Sequence, residues 1–130
     1  MLLVRRILCV AYWAVLTVLL LVPHPMAMLG ILRLPATIPI DRGVHFALFL
    51  ILTLLVHASR WPIRPVVFVQ ILVVYGVASE LLQWFVPPRS VELLDLMENL
   101  LGIATGTILS WWLARWFREP AIVQGKEMPP

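Results

Sequence analysis

The sequence predicts an all-α fold: a polytopic membrane protein built as a bundle of four transmembrane helices. Three observations carry that expectation. The chain is 62% hydrophobic and only 13% charged, with a mean hydropathy of +0.95. Its apolar residues run continuously and do not alternate at the period of two that marks a half-buried strand. Prolines fill the breaks between the runs, where helices should end. A soluble domain of 130 residues buries too small a share of its surface to hide so much apolar area. Lipid removes the difficulty by acting as the solvent, and within it only helices and closed barrels satisfy every backbone polar group. The length suits one compact domain, residues 1–118, and a polar, proline-containing tail, 119–130, that is expected to be disordered.

The four apolar segments fall at 7–22, 44–57, 66–85 and 93–116. Since about 20 helical residues cross the hydrocarbon, the third and fourth are long enough as they stand. The first reaches that length by including residues 2–4, with Arg5 and Arg6 snorkelling to the surface. The second is short, and Arg60 helps it reach the far interface. Pro23, Pro25, Pro35 and Pro39 punctuate the first connection, Pro62 and Pro65 the second, Pro87 and Pro88 the third. The first connection is itself apolar between Met26 and Leu34, so part of it is expected to lie on the membrane surface. Arg5 and Arg6 before an apolar stretch also resemble a signal peptide. No small-x-small cleavage site follows, and the stretch runs into Pro23-His24-Pro25, so the first segment is read as a retained helix.

Charge sets the expected orientation. With the N-terminus inside, seven of the ten basic residues are cytoplasmic: Arg5, Arg6, Arg60, Arg64, Arg115, Arg118 and Lys126. Arg33, Arg42 and Arg89 lie outside. The positive-inside rule therefore favours both termini in the cytoplasm and a location in the inner (cytoplasmic) membrane. Trp61, Trp111, Trp112 and Trp116 then mark the inner interface and Trp84 the outer one. The arginines sit at segment ends and form no basic face, which excludes a nucleic-acid partner. Cys9, the single cysteine, offers no intramolecular disulfide and no metal-site spacing, and is read as a small packing residue.

On this topology the acids Asp41, Glu80, Glu92, Asp95 and Glu98 gather toward the outer helix ends, with His45, Gln83, Arg89 and Asn99 among them. Asp41 and His45 are four apart, Glu80 and Gln83 three, Asp95 and Asn99 four, and Gly102 and Gly106 continue the stripe of Asn99. Gly-x-x-x-Gly in an apolar helix permits close approach of a neighbour, so these glycines are structural and that face turns inward. Glu80 is the sharpest feature, because an ionised carboxylate at membrane depth costs about 2–3 kcal/mol unless it is paired or faces a cavity. It is either a functional acid or a pin that hydrogen-bonds Asn99 or a loop amide. Bland alternatives exist for the others: Asp41 as an N-cap, His45 as a donor to Asp41 or to a backbone carbonyl one turn away, Asp95 complementing the helix dipole, and Glu92 and Glu98 simply solvated.

These residues together carry a resemblance. Asp41-Arg42-x-x-His45-Phe46, Glu80-x-x-Gln83, Pro87-x-Arg89-Ser90 and Asp95-x-x-x-Asn99-x-x-Gly102-x-x-x-Gly106 resemble the VanZ-like membrane family over roughly residues 5–115. Arg42 replaces the more usual lysine, and Pro88 stands where glycine is common. The family is named after a protein that raises resistance to teicoplanin, and many members have no link to resistance. The resemblance implies the membrane class and the motif positions, with glycopeptide resistance as one cellular role.

Three functions fit the pattern. In the first, the protein binds or modifies an amphiphile of the cell envelope at the outer leaflet: a membrane lipid, a lipid-linked precursor or a lipoglycopeptide. Arg89 holds an anionic headgroup in bidentate fashion, and Glu80, Gln83 and Asn99 supply polar contacts. In the second, it is a membrane-embedded hydrolase or transferase. Asp41 orients His45 as general base and Glu80 acts as acid, or Asp41, His45, Glu80 and Asp95 hold a divalent cation. The sequence alone assigns neither a metal nor a cofactor. No serine or cysteine nucleophile signature is present, so activated water is the expected nucleophile. In the third, it is an assembly factor or a small transporter, the latter requiring a homo-oligomer because four short helices leave little room for a path.

Overall fold

The computed structural model describes residues 1–22, 43–86 and 92–116. They form four helices and, among the described residues, no strand: α1 (Leu2–Leu21), α2 (Val44–Ala58), α3 (Pro65–Gln83) and α4 (Leu93–Trp116). The all-α class expected from the continuous apolar runs is the one observed. α1, α3 and α4 are each long and apolar enough to cross a membrane. α2 has 15 residues, which at a rise of 1.5 Å gives it about 22 Å. The connection at 23–42, including its apolar stretch, and the tail from 117 lie outside the described residues.

Local sequence explains most of the boundaries. α1 begins at Leu2, so Arg5 and Arg6 lie within its first two turns. α3 starts on Pro65, which occupies the first turn, where a missing N–H costs nothing. It ends at Gln83, two residues short of the apolar pattern, because Trp84 and Phe85 lie in a turn with their rings exposed. α2 opens at Gly43, whose φ of +85° is a conformation that suits glycine.

The chain runs up and down. Arg6 donates to the carbonyls of Ser59 and Arg60, and the Ser59 hydroxyl lies 3.1 Å from the Arg5 carbonyl. These contacts place the start of α1 beside the end of α2. Gln83 donates to the Leu20 carbonyl at 3.1 Å, which joins the ends of α1 and α3. α2 and α4 run parallel, with Gly102 beside Phe46 and Leu50, and Gly106 beside Leu50 and Thr53. One end of the bundle therefore carries Arg5, Arg6, Arg60, Arg64 and Arg115, with Arg6 stacked over Trp61 and Arg115 over Trp111. The opposite end carries the first turns of α2 and α4 and the last turns of α1 and α3.

The core is a thin apolar layer of Cys9, Leu16 and Leu20 from α1, Phe49, Leu52 and Val56 from α2, Leu72 from α3 and Ile103 from α4. Hydroxyls inside it are satisfied. Thr17 shares a 2.8 Å hydrogen bond with Tyr75, Tyr12 donates to the Leu48 carbonyl, and Thr53 donates to Phe49 within its own helix. Tyr75 also packs against Trp13 and Phe49. Outside, Val15, Val18, Val74, Leu81, Leu101 and Ile108 are exposed on three different helices. In water such a surface is an aggregation liability. Against lipid it carries no penalty, so the apolar exterior and the helix lengths together define a membrane protein.

Candidate functional site

Three helices bring polar side chains together at the end opposite the described arginines. His45 stands in the first turn of α2, Glu80 in the last turn of α3, and Asp95 and Asn99 occupy the first two turns of α4. Position follows from packing. Gly102, one turn beyond Asn99, has no side chain, so α2 lies directly on the backbone of α4. A Cβ built there would stand 2.5 Å from the Phe46 carbonyl oxygen and 3.1 Å from the Phe49 Cβ. That approach draws His45, one residue before Phe46, over Asn99. Gly76, one turn before Glu80, lets the Phe49 ring and the Asn99 Cβ approach α3.

The Asn99 carboxamide connects the cluster. Its Nδ2 donates to Glu80 Oε1 at 3.0 Å, and its Oδ1 lies 3.2 Å from His45 Nδ1. Glu80 Oε1 is in turn 3.4 Å from His45 Nδ1. On the far side of the imidazole ring, His45 Nε2 lies 3.7 Å from Asp95 Oδ2. Glu80 and Asn99 are fully buried, whereas the side chain of Asp95 is 28% exposed and opens the cluster to the end of the bundle. Glu80 Oε2 is buried and, among the described residues, has no hydrogen-bond partner. Burying polar groups at such depth is unfavourable unless partners compensate, and here the compensation stops one oxygen short.

The structure thus gathers His45, Glu80, Asp95 and Asn99 of the residues the sequence singled out. Gln83 lies one turn from Glu80, and its amide ties α3 to α1 through Leu20. Gly106 faces Thr53, where a built Cβ would meet the Thr53 Cβ at 2.7 Å. Asp41 and Arg89 lie outside the described residues, as do Arg42, Pro87, Pro88 and Ser90. The N-cap of α2 is Gly43, so the capping position falls two residues after Asp41.

Glu98 differs from its expected solvated role. Both of its carboxylate oxygens accept from the Gly43 backbone N–H, at 2.9 and 3.0 Å. α2 begins without a capping side chain of its own. An acid on the neighbouring helix fills that place and favours the positive end of the α2 dipole. The signal was present in the absence of Ser, Thr, Asp or Asn at position 43. Which helix would supply the acceptor depended on the register of α2 against α4.

The class defined by this fold and site is a membrane-type helical bundle enclosing a histidine–carboxylate–amide cluster at one end. Compared with protein-family models, curated proteins and solved structures, the chain matches none.

Proposed function

We propose that this chain is an integral, VanZ-like protein of the cytoplasmic membrane. It binds or acts on the headgroup of an amphiphile at the outer leaflet, both termini facing the cytoplasm. The observation that carries the reading is the buried Glu80–Asn99–His45 contact, with Asp95 beside it, at the end of the bundle opposite the described arginines. A bundle that needed only to hold itself together would not favour a buried carboxylate with one oxygen unpartnered among the described residues. The positive-inside count turns that end outward. Arg89, one of only three basic residues assigned to the outer side, is the proposed clamp for a phosphate or carboxylate. The amphiphile is a membrane lipid, a lipid-linked envelope precursor or a lipoglycopeptide, and glycopeptide resistance is the cellular role that the last would give.

A second reading is favoured by the imidazole lying between two carboxylates. Such a group suits a membrane-embedded hydrolase or transferase, in which His45 moves a proton and water attacks the headgroup ester. The deciding experiment is mass spectrometry of the lipids retained by purified protein, wild type beside Arg89→Ala. Selective enrichment of one anionic lipid, lost in the variant, supports the headgroup site and supplies the substrate for turnover assays. Retention of bulk lipid alone by both proteins would sink the reading and point to an assembly role.

A further inference from the structure

We propose that His45, Glu80 and Asp95 form a binding site for a divalent transition-type cation, Zn²⁺ or Mn²⁺ in chemistry, held in place by Asn99. Each residue offers one ligand atom, and the three atoms lie within 4.8 Å of one another. The 3.7 Å between His45 Nε2 and Asp95 Oδ2 is too long for a hydrogen bond. It matches two ligands of one small cation, which at about 2.0–2.2 Å from the metal stand about 3.2–3.8 Å apart.

The tautomer that the surroundings impose on His45 is the one a metal requires. Asn99 Nδ2 is committed to Glu80, so Asn99 Oδ1 faces the ring and accepts from His45 Nδ1–H. Nε2 is then the nitrogen that faces Asp95 and would give up its proton to a metal. A histidine that donates from one nitrogen to a fixed acceptor while the other takes the metal is the usual arrangement of ligated imidazole. Glu80 provides the independent observation. Its Oε1 accepts from Asn99, while Oε2 is fully buried and unpartnered among the described residues. A cation beside it would satisfy that oxygen.

Charge points the same way. Among the described residues, the sole basic side chain within ion-pair distance of Glu80 or Asp95 is His45. The two carboxylates and the imidazole lie together in a low-dielectric environment, and a divalent ion would neutralise both acids. One imidazole and two carboxylates favour a transition-type ion over Ca²⁺ or Mg²⁺, which prefer shells of six or more oxygens. Asp95 is partly exposed, so a bound ion would be reachable from the end of the bundle. There it could grip a headgroup oxyanion or a water molecule. The role of the metal, though not its binding, rests on the headgroup reading above.

The test uses tag-free, full-length protein in detergent, stripped with chelator and titrated with Zn²⁺ alone and with Co²⁺ as its spectroscopic counterpart. We expect one equivalent per chain and a Co²⁺ absorption spectrum of low coordination number. Asp95→Asn and Glu80→Gln, both close in shape to the native side chains, should lose the spectrum. Asn99→Ala, which removes a positioning residue, should weaken binding by about 10- to 100-fold. Size-exclusion elution unchanged from wild type establishes that each variant is folded. Absence of stoichiometric binding, or binding undiminished in folded Asp95→Asn and Glu80→Gln, overturns the site whether or not lipid is retained. Selective lipid retention, for its part, decides the headgroup reading whether or not metal binds.

Discussion

Asn99 Nδ2 donates to Glu80 Oε1 at 3.0 Å, and this one buried hydrogen bond joins the first turns of α4 to the last turn of α3. The same carboxamide reaches His45 on α2 with its other atom. Replacing it by an apolar side chain leaves a buried carboxylate and an imidazole without their shared partner. Orphaned buried groups cost about 1–3 kcal/mol each, more when charged. Asn99→Leu should therefore lower the unfolding midpoint in detergent clearly. A midpoint equal to wild type would show that the carboxamide is not what holds the three helices at this end.

The glycines make a graded prediction. Cβ atoms at Gly102 and Gly106 meet neighbours at 2.5 and 2.7 Å, the first of them backbone. At Gly76 the nearest atom is the Phe49 ring at 3.4 Å, which is ordinary contact. Gly102→Ala should destabilise by about 1–3 kcal/mol, as overpacking does, and Gly102→Leu should abolish folding. Gly76→Ala should be close to neutral. Equal effects at positions 76 and 102 would mean that α2 does not rest on the backbone of α4.

The α2 N-terminus is the weak point of the shortest helix, and Glu98 closes it from a neighbour. Glu98→Ala leaves the Gly43 N–H without its acceptor and should cost about 1 kcal/mol, the usual worth of a cap. Glu98→Gln keeps an amide oxygen in reach and should recover about half of that loss. Thermal unfolding of the two variants side by side measures the difference, and identical losses would assign the effect to charge alone.

Much of this architecture was legible in the residues. The helices follow from apolar runs ended by prolines, and the inward face of α4 from Asn99, Gly102 and Gly106 falling on one stripe. What could not be read was register. Gln83 and Glu80 are three apart on α3, yet Gln83 turns to Leu20 on α1 while Glu80 turns to Asn99 on α4. Helical spacing says which residues share a face and not which neighbour they meet. Glu98 shows the same limit: its neighbour Asn99 points into the cluster, and it reaches Gly43 instead. Sequence also held no sign of the Thr17–Tyr75 and Tyr12–Leu48 bonds, because hydroxyls in apolar runs pair with whatever packing brings near.

Orientation in the membrane is open to direct labelling. The described arginines gather at one end of the bundle and the Glu80 cluster at the other, so one probe assigns both. Cys9 is buried, and Cys9→Ser removes the only native thiol with little change in volume. A cysteine placed at position 89 in that background should react with a membrane-impermeant maleimide added to intact cells. Labelling only after permeabilisation would invert the topology and place the cluster at the cytoplasmic face.

Stability and function should separate at Glu80. If this carboxylate were only a pin between helices, its value would lie in the bond from Asn99, and any weakening would lower the unfolding midpoint. Glu80→Gln keeps an oxygen for Asn99 and removes a carboxylate whose second oxygen is buried without a partner among the described residues. Because burying a carboxylate with one oxygen unpartnered is costly, the variant should be as stable as wild type or more so. It should at the same time lose ligand retention, the trade-off expected when a site stores unfavourable energy for its task. Arg89→Ala should show the same pattern, loss of retained anionic lipid with the midpoint unchanged. A Glu80→Gln midpoint well below wild type, with lipid retention intact, would make Glu80 a structural pin and remove it from the site.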